Sequence, residues 1–93
     1  MTLTIEPTAL DWFRSEMSVQ KGEFVRFFVR MGGCSTAQTG FSLGVAKEAP
    51  KEIGISATID GITFYMEKED TWYLNEQDLR VSYNSSRDEI EFS

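Results

Sequence analysis

Ninety-three residues make one domain, expected to span residues 1–93, with no room for a second core. Nine Lys and Arg against fifteen Asp and Glu give a net charge of −6. That field repels nucleic-acid phosphates and anionic membrane surfaces alike, and no basic stripe offsets it. At 41% hydrophobic and 13% aromatic the chain is too apolar for disorder, and no stretch approaches the ~20 apolar residues of a membrane helix.

A single cysteine forms no internal disulfide, and Met1 to Leu10 lacks the basic and apolar regions of a signal peptide. The expectation is a soluble, cytoplasmic protein that binds neither nucleic acid nor membrane.

Along the chain, Thr2 to Ile5 alternates weakly and predicts a short edge strand. Pro7 suits a first helical turn, with Thr8 and Asp11 as a capping pair or Glu6 one register earlier. Leu10, Phe13 and Met17 follow at helical spacing, so one helix is expected from about residue 7 to 18. Phe24 to Met31 is the strongest strand. Its odd positions, Val25, Phe27, Val29 and Met31, are all apolar and should meet the core, while Arg26 and Arg30 share the other face. Gly32 and Gly33 end it, residues 34–40 are small and polar, and Phe41 to Val45 reads as the next strand. Residues 46–54 read as a loop.

Ile55 to Ile59, Asp60-Gly61 and Ile62 to Met66 predict a hairpin, because Asp-Gly supplies the positive φ angles of a two-residue turn. Glu67 to Asp70 is a charge run expected as a loop or short turn before Trp72, Tyr73 and Leu74. Leu79, Val81 and Tyr83 alternate, Asn84 to Asp88 turns, and Ile90 with Phe92 marks a last strand. The fold class is mainly β (α+β): a compact sandwich or flattened barrel of six or seven short strands with one N-terminal helix.

Chemistry is sparse. No histidine is present, which removes the commonest general base and metal ligand, and no phosphate-binding glycine motif occurs. Enzymatic catalysis is not expected. The singular feature is Gly32-Gly33-Cys34-Ser35. Two glycines let the backbone approach a ligand closely, and local N–H groups or Arg30 would stabilise a Cys34 thiolate. Two readings stand there, a ligand-binding turn and a tight turn with an incidental small residue. Glu67, Glu69 and Asp70 form either a hard-cation site or a solvated face; they lack calcium-loop spacing. Arg26 and Arg30 form an anion clamp, face a partner, or are salt-bridged. Trp72 and Tyr73 read as core or rim packing.

The N-terminal helix, the Phe24–Arg30 strand and then Gly33-Cys34-Ser35, with Phe41–Val45, the Asp60-Gly61 hairpin and the closing Asp88–Phe92 segment, resemble the HesB-like family of A-type iron–sulfur assembly proteins. The likeness covers residues 2–92. It implies a small, mostly β fold and a non-catalytic role in iron–sulfur cluster assembly or iron binding. It also implies client apoproteins or assembly proteins as partners, and a homodimer. The family's ligand set is one cysteine in the Gly-Cys-Ser turn and two in a C-terminal Cys-Gly-Cys; only the first has a counterpart, Cys34. Thr36 stands where glycine commonly follows Cys-Ser. The resemblance thus assigns Cys34 as the metal ligand, with Gly32, Gly33, Ser35 and Arg30 around it. The competing readings are a metal-free binding module and a thiol redox switch that kept the fold and lost the cluster.

Overall fold

The computed structural model describes residues 1–31 and 41–93. In chain order the elements are β1 (Leu3–Ile5), α1 (Pro7–Glu16), β2 (Phe24–Met31), β3 (Phe41–Lys47), β4 (Ile53–Ile59), β5 (Ile62–Glu67), a 3-10 helix (Lys68–Leu74), β6 (Leu79–Asn84) and β7 (Glu89–Phe92). Four strands form one sheet in the order β3-β2-β5-β4, and three form another in the order β1-β6-β7. The mainly β expectation with an N-terminal helix holds. The two sheets approach each other where β1 nears β4, so the molecule is a flattened barrel with its open seam between β3 and β7.

Alternation dictates the core. Val25 and Phe27 of β2, Phe64 and Met66 of β5 and Val81 of β6 are fully buried and share one cluster with Ala9 and Phe13 of α1. Phe13 lies 5.1 Å from Phe64, and Phe27 stacks on Phe64 at 6.1 Å with 14° between ring planes. These aromatic faces stand in for the larger aliphatic core that a chain of this length cannot build.

α1 begins at Pro7, so Thr8 sits inside the first turn rather than at its cap, and no side chain caps the helix. The carboxylate of Glu6, the cap residue, reaches Arg80 at 2.9 Å instead. The helix stops at Glu16, short of residue 18, because Ser18 takes a left-handed conformation with φ 53°. Asp60 and Gly61 have φ of 51° and 79°, the paired positive values of the expected hairpin turn, and Ile59 pairs with Ile62 across it. The loop expected over residues 46–54 is shorter, since β3 runs on to Lys47 and β4 begins at Ile53.

β1 joins β6 in parallel, Leu3 opposite Leu79, and is tied down at its start. The Thr2 N–H donates to Asp78 Oδ1 at 2.9 Å, and the Leu79 N–H donates to the Thr2 carbonyl at 2.8 Å. The hydrogen bonds from Thr2, helped by the N-terminal ammonium, hold the Asp78 carboxyl below its ordinary value. A depressed folded-state pKa stabilises above the unfolded value, and this support is lost as pH falls through the folded value. An NMR titration of Asp78 is therefore expected to give a midpoint below 3.8. A midpoint at 3.8 or above means that the clamp does not persist in solution.

Candidate functional site

Gly32, Gly33, Cys34 and Ser35, with Thr36 to Gly40, lie outside the described residues. The structure describes the two strands that present this segment. β2 and β3 pair antiparallel from Val25 opposite Lys47 to Met31 opposite Phe41, so residues 31 and 41 face each other at the segment's base. The two-residue period puts Arg26, Phe28 and Arg30 on the outer face with Ser42, Gly44 and Ala46. Gly44 is needed there. A Cβ at that position would run into the Phe28 ring and stand 2.9 Å from Arg30 Cδ. The Phe28 ring and the stem of Arg30 thus lie over the glycine, and Arg30 is exposed at the segment's edge.

Met31 does not meet the core as its parity predicted. It is 87% exposed: beyond Phe27 the strand β2 pairs with β3 alone, having left its other neighbour β5 behind. Its cross-strand neighbour Phe41 meets Trp72 edge-on at 5.3 Å, and Trp72, from the 3-10 helix, is 51% exposed. Tyr73 beside it is buried, so of this pair one residue is core and the other rim. Met31, Phe41 and Trp72 make an apolar rim at the base of the Cys34 segment. Sequence reasoning missed it, since Met31 belonged by alternation to the core and Trp72 followed a charge run that looked like a loop.

The solvated-face reading of the acidic run holds for Glu69, whose side chain is 75% exposed, but not for Glu67 and Asp70, which are held by partners. Arg26 bonds Glu48 at 2.7 Å and Asp70 at 3.2 Å, with Glu69 at 3.6 Å. Burial works against the guanidinium's charge, but the hydrogen bonds to Glu48 and Asp70 outweigh it and hold its pKa above the ordinary value. Both terminal nitrogens of Arg26 are therefore engaged by carboxylates, and it does not join Arg30 as an anion clamp. Glu67, only 4% exposed, accepts the Lys51 N–H at 3.0 Å and the Glu52 N–H at 3.3 Å, which fastens the loop between β3 and β4. The Tyr65 hydroxyl donates to the Glu48 carbonyl at 2.7 Å and fixes the same loop from the other side.

Metal chemistry is limited by the donor set. The chain has one cysteine and no histidine, and among the described residues no three Cys, His, Asp or Glu converge on a point. Iron–sulfur clusters are commonly held by four thiolates. One chain supplies one, so its own residues do not fit a complete cluster shell.

The mainly β fold with its N-terminal helix is that of a class of small β proteins, and comparison with known proteins places the chain within it. A family model described as iron-sulphur cluster biosynthesis matches residues 1–93. The chain belongs to that family. It is 53% identical over 92 residues to a Bacillus subtilis (strain 168) protein named pyruvate dehydrogenase inhibitor, covering 99% of this chain and 97% of that one. An uncharacterized protein of Staphylococcus saprophyticus is 32% identical over 96 residues, covering 100% and 98%. The crystal structure of Escherichia coli SufA, described as involved in the biosynthesis of iron-sulfur clusters, superposes with a TM-score of 0.66 at 19% identity. That match covers 99% of this chain and 79% of SufA, and shows a shared fold.

Proposed function

We propose that this chain is a non-catalytic, cytoplasmic binding protein that inhibits pyruvate dehydrogenase by docking on it. The observation that carries this reading is the 53% identity, over nearly the full length of both chains, to the Bacillus subtilis protein of that name. The docking surface is the rim of Met31, Phe41 and Trp72, with Arg30 at its border. Exposed Met and Trp side chains beside a half-buried Phe are the residue types that carry binding energy at protein interfaces. The donor set supports the reading too, since inhibition by docking asks nothing of the missing ligands.

The test is NADH formation by purified pyruvate dehydrogenase complex titrated with this protein. Saturable inhibition is expected, and Trp72→Ala weakens it at least tenfold, a loss of about 1.4 kcal/mol or more. Full enzyme activity at a large molar excess of wild-type protein would sink the proposal.

A second reading takes the family match over residues 1–93 as its support. Here the chain carries iron or a cluster as cargo to client apoproteins or assembly proteins. Cys34, flanked in sequence by Gly32, Gly33 and Ser35, is the sole thiolate per subunit, and a homodimer with an external thiol completes the shell. Anaerobic reconstitution with iron and sulfide, read by visible absorption, separates the two readings. Cluster bands that vanish in Cys34→Ser favour cargo, while identical featureless spectra leave docking alone. A third role for Cys34, as a redox switch, requires alkylation faster than that of an unstructured cysteine peptide.

A further inference from the structure

Along the seam the core is left unfinished. Leu43 and Val45 of β3 and Ile90 and Phe92 of β7 pack against the core yet are only half-buried. Between the two strands lies a groove of about 740 Å³ with Leu43, Tyr73, Ile90 and Phe92 among its walls. A smaller hollow of about 200 Å³ shares Tyr73 and Phe92 with it and reaches Leu74 and Leu79. Tyr73 is only 3% exposed and lines both spaces. The hydroxyls of Tyr65 and Tyr83 donate to the Glu48 carbonyl and to Asp88, whereas that of Tyr73 makes no hydrogen bond among the described residues. A buried hydroxyl ordinarily has a partner, so the space in front of Tyr73 suits a polar group of another molecule.

The main chain beside the groove is open as well. β3 ends its sheet, and among the described residues no strand pairs with its outer edge. Its seven residues run in unbroken register with β2, without proline and without a charge before Lys47. The Glu48 N–H donates to the Phe24 carbonyl at 3.3 Å, which marks a hydrogen-bonded pair. Such pairs recur at every second residue of an antiparallel ladder, so Ser42, Gly44 and Ala46 bond to β2. The N–H and C=O groups of Leu43 and Val45 therefore point away from β2, toward the seam. The other edges are blunted: β1 by its length of three residues, β4 by a bulge between Ile53 and Ile55, and β7 by Glu89 and Glu91. Those two carboxylates also charge the lip of the groove. Arg87 stands 3.5 Å from Glu89, while among the described residues Glu91 meets only the neutral Asn84 amide, at 3.0 Å.

We propose that the seam is a binding site for an extended segment of a partner protein in which apolar and basic residues alternate. The segment adds a strand to β3 through the main chain of Leu43 and Val45. Side chains of a strand alternate between its two faces, so the apolar ones enter the groove over Tyr73, Ile90 and Phe92. The basic ones then point outward, where Glu91 attracts them and Ser42 and Gly44 offer neither charge nor bulk against them. The Tyr73 hydroxyl supplies a hydrogen bond from within the groove. Glu91 is what selects such a segment over a second copy of β3, which has no basic residue before Lys47, itself paired with Glu23 at 3.3 Å. This holds whether or not the protein inhibits pyruvate dehydrogenase.

The probe is a synthetic peptide of alternating valine and lysine, capped at both ends and matched to the seven residues of β3. Titrated into isotope-labelled protein, it is expected to give saturable NMR shifts at Leu43, Tyr73, Ile90 and Phe92. Amide exchange should slow at Leu43 and Val45, while Ser42 and Gly44, already bonded to β2, change little. Methylating the peptide's backbone nitrogens, or replacing its lysines by glutamates, is expected to weaken binding roughly tenfold. Tyr73→Phe, which deletes one hydrogen bond, weakens it roughly threefold to tenfold. Should that variant fail to fold, the three peptides on wild type decide. The absence of saturable shifts at millimolar peptide overturns the proposal, as does equal binding by either altered peptide or by folded Tyr73→Phe. Shifts centred on β1 or β4 overturn it too. Leu43 and Val45 amides that slow with protein concentration alone would give the seam to a second copy instead.

Discussion

Phe64→Ala is expected to lower the stability of this protein by about 3–5 kcal/mol, the range for deleting a fully buried phenylalanine. Phe64 has no exposed surface and contacts Phe13 of α1 and Phe27 of β2, so its ring holds the helix against the middle of the larger sheet. Neither neighbour is free to collapse into the space. Phe27 is fixed by its strand and meets Phe92 at 5.5 Å, while Phe13 is pinned between Trp12 and Phe27. A domain of this kind has only about 5–15 kcal/mol in hand, so the variant should stand near its unfolding threshold. Urea denaturation measures the effect as a fall in midpoint at constant slope. Phe28→Ala is the control: its half-buried ring covers Gly44 on the outer face, and its loss should cost about 1–2 kcal/mol of covered apolar area. If Phe64→Ala and Phe28→Ala cost the same, the aromatic cluster is not the centre of the fold.

The residues that specify this core were legible because they obey short-range rules. Val25 and Phe27 follow strand parity, Phe13 follows helical spacing, and Asp60-Gly61 supplies a turn that few other pairs would. What was not legible depends on residues far apart in the chain. β1 pairs with β6 across 76 positions, Leu3 opposite Leu79, and nothing local in either strand announces a parallel partner. Glu67 looked like part of a solvated run, but its surroundings come from the loop it fastens, fifteen and sixteen residues earlier. Met31 had the right parity for burial and lies where β2 has left β5 behind. The candidate site divides in the same way. Cys34 and its glycines can be read as a motif, whereas the Met31, Phe41 and Trp72 rim exists only once β2, β3 and the 3-10 helix are brought together. Similarity to the protein named pyruvate dehydrogenase inhibitor is carried by identity along nearly the whole chain and not by any one motif.

Arg26 offers the second large effect, and its sign follows from what it leaves behind. Arg26→Met keeps much of the side chain's length and apolar contact, so the loss is of charge rather than volume. Its side chain is 18% exposed and its guanidinium serves Glu48, Glu69 and Asp70 together; the Asp70 side chain is itself only 16% exposed. Removing one partner of a buried pair costs about 3–5 kcal/mol, because the other charge is stranded. Here Glu48 and Glu69 keep much of their solvent, which screens their share, so the expected loss is smaller, about 2–3 kcal/mol. The origin of that loss can be isolated. Arg26 Nε is buried with no hydrogen-bond partner, so the native arrangement already carries an uncompensated desolvation cost that methionine removes. If stranded charge is the main cause, Arg26→Met/Asp70→Asn should regain about half of the loss in urea denaturation, since a neutral amide tolerates the site better than an unpaired carboxylate. A double variant less stable than Arg26→Met alone would instead make Asp70 a structural acceptor in its own right. The inhibition assay separates this effect from function. Arg26 is not itself a rim residue but anchors Asp70 on the 3-10 helix that carries Trp72, so Arg26→Met should move the inhibition midpoint less than Trp72→Ala, which moves it tenfold or more.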